Sequence, residues 1–326
     1  MNGKKQQNKE VLHAVILDAK TLGDDVSFAS LSQAAEITAY PLTAPHEIEE
    51  RIHLADVVIV NKIKLNEENL RRAERLKLIC VAATGYDNID ISYCEKKGIA
   101  VCNVLGYSTY SVAQLSVAMV LELVMHLHAF SEFVKTGGYT NSGVPNRLTP
   151  AFHELYGKTW GIVGAGNIGG QVATVAEALG CSVQVFRKKP DERYPTVDID
   201  TLCETSDIIS VHLPLNECTR GIISKDRIAR MKHGAIFVNT ARGAVTDEAA
   251  LADAIESGHL GGLGVDVYSV EPFPVDHPFH RIRMYPNVCM TPHIAWAAIE
   301  ARQRCMDEIA ENIRVFSGGG RRCRVV

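Results

Sequence analysis

No cysteine pairs, no basic excess and no uninterrupted apolar run mark this chain of 326 residues. Its nine cysteines, at 80, 94, 102, 181, 203, 218, 289, 305 and 323, show neither the spacing of a zinc site nor that of a disulfide framework. They read as reduced thiols of a cytoplasmic protein. The net charge of -4 argues against nucleic acid as a partner. Residues 1–10 are polar and lack the apolar core of a signal peptide. The most lipid-like stretch, residues 112–130, carries Gln114, Glu122, His126 and His128, so a buried helix of a soluble protein is expected there and no membrane. No H-E-x-x-H or comparable ligand spacing occurs, and no metal is expected.

What is present points to α/β architecture. The length suggests two domains, and a hydrophobic fraction of 46% can fill two cores. Short apolar strands alternate with helical stretches, the pattern of parallel sheets covered on both faces. The first block has candidate strands at 11–18, 37–42, 57–60, 78–82 and 100–103, followed by one long helix over about 111–135 and a loop over 136–150. The second block has strands at 160–163 and near 182–186, 207–213, 235–240, 262–267 and 288–291. The last helix, 296–316, needs an apolar partner and is expected to cross back onto the first block. Two Rossmann-like or flavodoxin-like domains are expected, and the family resemblance described below implies an active site in the cleft between them. Residues 1–106 with 297–326 would be the substrate-binding domain and 107–296 the dinucleotide-binding domain. The glycine-rich tail from Gly318 to Arg322 is expected to fray.

Gly164-Ala165-Gly166-Asn167-Ile168-Gly169 follows a strand and opens a helix. Gly164 permits the tight turn, Gly166 lets the backbone approach a pyrophosphate, and Gly169 brings helix and strand together. The helix N-terminus then offers its N–H groups to the phosphates. In this context the motif signifies a dinucleotide site rather than a merely tight turn. An acidic residue at the end of the next strand would select NAD by binding its ribose. Here that strand ends in Arg187-Lys188-Lys189, and an arginine can grip a 2′-phosphate. NADP is therefore favoured over NAD, the plainer alternative being a solvated basic loop.

Three further strands end in one functional side chain each. Asn239-Thr240-Ala241-Arg242-Gly243 presents Arg242, Asp266-Val267-Tyr268-Ser269-Val270-Glu271 presents Glu271, and the buried strand before Thr291-Pro292-His293 presents His293. In an open α/β sheet, ligands bind outside the carboxyl ends of the strands. Arg242 offers a planar fork for a carboxylate, with Gly243 suggesting an exposed turn. His293 can supply a proton near neutral pH, and Glu271 can orient its ring. Singly, each has a bland reading: an ion-pair residue, a surface charge, a helix cap. Together at three strand ends they suit hydride transfer to a 2-oxo acid. His212 ends another strand and is expected to line the cofactor site. His126 and His128 read as packed or interfacial, and His53, His233, His259, His277 and His280 have no telling context.

On these segments, together with residues 211–215, 264–272 and 291–295, the chain resembles the D-isomer-specific 2-hydroxyacid dehydrogenase family across nearly its whole length. The resemblance implies that Arg242, Glu271 and His293 bind substrate, orient the acid and exchange the proton. It implies that Asp266 contacts the nicotinamide carboxamide, and that Thr240, Ala241, His212, Pro214 and Ala295 lie along the cofactor. Residues 82–88, 103–109 and 293–296 are more specifically similar to glycerate dehydrogenases, also called hydroxypyruvate reductases. In that family a loop after the fourth strand, here Ala83-Thr84-Gly85, presents backbone N–H groups to the substrate carboxylate. The implied reaction is reversible reduction of hydroxypyruvate or glyoxylate to the D-2-hydroxy acid by a homodimer, to which residues 112–130 contribute. Phosphoglycerate, D-lactate or a bulkier 2-oxo acid are the alternative substrates, chosen by side chains around Tyr86, Tyr107 and Trp296. A dinucleotide-sensing, corepressor-like interaction protein is the alternative from another class.

Overall fold

The structure, a computed structural model, describes residues 11–326. They pack as two compact units, one of residues up to Ser108 together with Ala297–Val326, the other Thr109–Trp296.

The first unit holds a parallel sheet of β1 (His13–Ile16), β2 (Glu36–Ala39), β3 (Val57–Val60), β4 (Leu78–Val81) and β5 (Ala100–Cys102), in the order β2-β1-β3-β4-β5. This is the flavodoxin-like order. Every residue of Val-Val-Ile-Val in β3 and Leu-Ile-Cys-Val in β4 is buried, as a sheet covered on both faces requires. Local signals set the helices: Asp90 accepts the N–H of Tyr93 at 3.0 Å to start Ile91–Lys97, and Gly98, at φ 71°, ends it. The C-terminal helix Ile299–Ser317 belongs to this unit and buries Ala301, Cys305, Met306, Ile309, Ala310 and Ile313.

The tail after that helix does not fray. Val101 donates to Val326 O, Val325 to Val101 O, and Asn103 to Cys323 O, while Cys102 and Arg324 form an antiparallel bridge. The tail therefore satisfies the open edge of β5, a need that composition alone does not reveal. Tyr107 is buried, and its carbonyl accepts Arg304 at 3.0 Å, so its ring lines no open surface, whereas Tyr86 is exposed.

The second unit holds β6 (Thr159–Val163), β7 (Ser182–Phe186), β8 (Ile208–Val211), β9 (Ala235–Asn239), β10 (Leu260–Val265) and β11 (Val288–Met290), ordered β11-β10-β9-β8-β6-β7 and all parallel. The chain reverses its direction of growth between β6 and β8, which makes a topological switch point there. β11 is an end strand and only partly buried, not the buried strand its composition suggests.

The single helix expected over 111–135 is two helices, Thr109–Met125 and Leu127–Lys135, bent by 63° at His126, whose φ is 55°. The first lies on β9, β10 and β11 and buries Val112, Ala113, Met119, Val120 and Leu123. Gly262 and Gly264 permit this approach: a Cβ on either would stand 3.2–3.3 Å from Leu123 or Met119. The second buries none of its residues, so the two halves face different surroundings and the apolar run conceals the break.

Candidate active site

Because all six strands of the second unit are parallel, the residues that follow them emerge along one edge of the sheet. Gly164 follows β6, Arg187 β7, His212 β8, Thr240 to Arg242 β9, Asp266 to Glu271 β10, and Thr291 to Ala295 β11. The topology thus gathers every candidate in this unit.

At the switch point the glycines are required by contact. Gly164 has φ 101°, and a Cβ there would meet His212 O at 2.8 Å. A Cβ on Gly169 would stand 2.1 Å from Gly164 O, whereas one on Gly166 meets nothing within 4 Å. The turn is closed at Gly164 and Gly169 and open at Gly166, where an anion would find room. Asn167 and Ile168 begin the 12-residue helix Asn167–Ala178, whose N-cap Gly166 supplies no capping side chain. Its first N–H groups are therefore left for an anion. Beside this turn, burial pushes the His212 imidazole down to about 3, so it is neutral. Trp160 Nε1–H donates to Ser210 Oγ at 2.9 Å, and Ser210 Oγ lies 3.0 Å from His212 Nε2. His212 Nδ1 is buried without a partner. Pro214, next along, is exposed. A glycine cradle, an uncapped helix start and an orphaned ring nitrogen together fit a dinucleotide.

Arg187 is partly exposed, and its Nη1 lies 2.5 Å from Asp191. The Asp191 carboxyl sits below its usual range, through the Arg193 backbone N–H above all and through Arg187. A carboxylate thus stands beside the arginine after all, four residues later than the strand pattern places one.

After β9, Thr240 shares a hydrogen bond of 2.8 Å with Ser116, and Ala241 N–H donates to Asn239 Oδ1 at 2.9 Å. Arg242 carries an Nη1 bond of 2.8 Å to Ala241 O. Gly243 is buried, not an exposed turn: a Cβ there would lie 2.1 Å from Tyr268 C and 2.2 Å from Ser269 N. The arginine turn is thereby pressed onto the loop that carries Glu271.

That loop meets the histidine directly. Glu271 Oε1 accepts Tyr268 N–H at 3.0 Å, and Oε2 lies 2.6 Å from His293 Nδ1. His293 has φ 56°, a conformation unfavourable for a side chain with a Cβ, so the surroundings must impose it. Asp266 supplies much of that force. Fully buried, it accepts Thr291 Oγ1 at 2.6 Å, Ile294 N–H at 2.8 Å and Ala295 N–H at 2.8 Å. Burial raises its pKa despite those donors. Tyr268, raised by burial and then by Asp266 and Glu271, stays a neutral phenol and donates to Thr291 O at 2.9 Å. Trp296 Nε1–H closes the turn on His293 O at 3.0 Å.

The loop Ala83-Thr84-Gly85 follows β4 in the first unit. Thr84 Oγ1 donates to Val104 O at 2.8 Å, and Asn103 Nδ2 donates to Thr84 O at 2.7 Å, which fixes the loop's backbone.

Two buried arrangements leave little trace in the sequence. The anchoring of residues 291–295 by Asp266 is foreshadowed only by an acidic residue ending an apolar strand. The pairing of His277 with Glu248, at 3.0 Å, has no local signal at all, since 29 residues separate them.

Residues 117–295 match the family model described as D-isomer specific 2-hydroxyacid dehydrogenase, NAD binding domain. The chain is 35% identical over 306 residues to a glycerate dehydrogenase of Methylorubrum extorquens, covering 94% of this chain and 96% of that protein. It is also 35% identical over 314 residues to a hydroxypyruvate reductase of Blautia hydrogenotrophica, covering 94% and 97%. The D-lactate dehydrogenase of Aquifex aeolicus, solved with NAD and lactic acid, superposes with a TM-score of 0.83 at 31% identity, covering 94% of this chain and 96% of that one. The chain belongs to the D-isomer-specific 2-hydroxyacid dehydrogenase family of NAD(P)-dependent oxidoreductases.

Proposed function

We propose that the preferred substrate is a short 2-oxo acid, hydroxypyruvate or glyoxylate, reduced reversibly to the D-2-hydroxy acid. The observation that carries the chemistry is the 2.6 Å contact of His293 Nδ1 with Glu271. With Nδ1 committed to the carboxylate, Nε2 carries the proton that His293 gives to the substrate oxygen. Arg242 holds the substrate carboxylate and polarises the carbonyl. The nicotinamide, when bound, supplies hydride to the carbonyl carbon. Gly164, Gly166, Asn167, Ile168 and Gly169 would hold the pyrophosphate, His212, Pro214, Thr240, Ala241 and Ala295 would lie along the dinucleotide, and Asp266 would contact the nicotinamide carboxamide. Both Asp266 oxygens already hold residues 291–295, so we assign its main effect to positioning His293. Ala83, Thr84 and Gly85 bind the substrate carboxylate through backbone N–H groups. The first unit is then the substrate-binding domain and the second the dinucleotide-binding domain.

We also propose NADP as the preferred cofactor, with Arg187 gripping the 2′-phosphate. The absence of a carboxylate at the end of β7 supports this, and the Asp191 contact moderates it. The working form is proposed to be a cytoplasmic homodimer. The exposed Leu127, Val134, Val144, Leu148 and Phe152 support a subunit contact there more than the buried helix Thr109–Met125 does.

The test is oxidation of NADPH and NADH by the purified chain with hydroxypyruvate, glyoxylate, D-lactate's oxo acid and phosphohydroxypyruvate. Turnover highest with the first two supports the assignment, and a higher rate with either of the others overturns it. Arg187→Ala should raise KM for NADPH about tenfold or more, with little change for NADH; equal changes for both would remove Arg187 from cofactor selection.

A further inference from the structure

Glu248 and His277 lie outside every site described so far, and both are buried, at 8% and 7% exposure. A buried carboxylate needs donors, and Glu248 has three. Its Oε1 accepts Ser269 N–H at 2.9 Å, while Oε2 accepts the Ser269 hydroxyl and His277 Nε2–H, the latter at 3.0 Å. The tautomer is fixed from the other side, because His277 Nδ1 accepts Phe279 N–H at 3.2 Å. Nε2 must therefore carry the hydrogen that meets Glu248.

The His277 ring is enclosed by aromatic neighbours. Phe273 lies at 5.0 Å between centroids, Phe279 at 5.1 Å and Tyr268 at 6.2 Å, and Tyr268 and Phe273 are themselves 4.7 Å apart. The loop carrying Glu271 is thus held on both flanks. Ser269, two residues before it, is tied to Glu248, and Phe273, two residues after it, packs on His277. The same stretch of backbone, Tyr268 and Ser269, supports Gly243 beside Arg242.

We propose that the buried Glu248–His277 pair is the positioning element that sets Glu271 against His293. It touches no reacting atom. It acts by fixing the loop 268–273, and a misplacement of about 1 Å in such a loop can cost on the order of a hundredfold in rate. This inference rests on the role assigned above to Glu271.

Glu248→Gln isolates the role, since it keeps the shape and exchanges one acceptor for a donor. Whichever way the amide turns, it faces either Ser269 N–H or His277 Nε2–H with a hydrogen. Turnover of NADPH with hydroxypyruvate would be measured for wild type, Glu248→Gln, Glu271→Gln and the double variant, with dinucleotide affinity followed by nucleotide fluorescence. The expected result is a kcat about tenfold or more lower in Glu248→Gln, with dinucleotide Kd within about twofold of wild type. In the Glu271→Gln background the same change should cost little more, because both act through one contact. Losses that multiply in the double variant, or wild-type kcat in Glu248→Gln, would overturn the proposal. Wild-type kcat in Glu271→Gln would instead remove the role of Glu271 itself, and this proposal with it. Should Glu248→Gln fail to fold, Ser269→Ala, which keeps the backbone donor, enters the same cycle with the same criteria.

Discussion

His293 Nδ1 stands 2.6 Å from Glu271 Oε2, and the other oxygen of that carboxylate is held by Tyr268 N–H at 3.0 Å. One carboxylate therefore fixes both the tautomer and the direction of the ring. Three strand ends of different sequence position converge on this contact. β10 supplies Glu271 and Asp266, β11 supplies the loop that Asp266 ties down, and the turn after β9 is pressed against them through Gly243.

Glu271→Gln should lower kcat by about 10- to 100-fold, a fraction of what a positioned acid–base group contributes. Dinucleotide affinity should be unchanged, because the glutamate faces the histidine and not the glycine turn. Steady-state kinetics with nucleotide fluorescence titration checks both parts. A raised dinucleotide Kd with unaltered kcat would contradict this division of labour.

Two neighbouring glycines should behave in opposite ways. Gly169→Ala puts a methyl 2.1 Å from Gly164 O, so the turn must open and dinucleotide affinity should fall about tenfold or more. Gly170→Ala meets nothing within 4 Å and lies inside the helix Asn167–Ala178. It should stabilise the chain by about 0.5–1 kcal/mol, with catalysis retained. Thermal unfolding and dinucleotide titration of the pair decide the matter, and similar losses in both would count against the contact argument.

Much of this was legible in the sequence, and for a consistent reason. Strand ends of a parallel sheet are marked by apolar runs stopping at a single polar residue, so Arg242, Glu271, His293 and the glycine turn announce themselves. What escaped depends on contacts distant in sequence. The break at His126 hides within an apolar run whose two halves meet different surroundings. The docking of residues 323–326 on β5 answers an unpaired sheet edge that exists only once the fold is made. Asp191 comes back on Arg187 from a loop, and Glu248 finds His277 across 29 residues, so neither follows from strand periodicity.

His212 sets a pH dependence of stability. An unfolded imidazole titrates near 6.5, whereas burial holds this one down to about 3. Between those values only the unfolded chain takes up the proton. The contribution to stability is therefore fully present above about pH 6.5 and is lost as the pH falls through the window. His212→Gln should flatten the decline of unfolding free energy between about pH 6.5 and pH 4, measured by denaturant titration. Identical slopes in variant and wild type would show that His212 is freely protonated in the folded chain.

The most direct test of the central claim is His293→Ala, with turnover and dinucleotide affinity measured on the same preparation. Reduction of hydroxypyruvate should fall by about 10²- to 10⁴-fold while NADPH binds as in wild type. Turnover close to wild type would contradict that claim, because the proton delivered to the substrate oxygen would then come from another group.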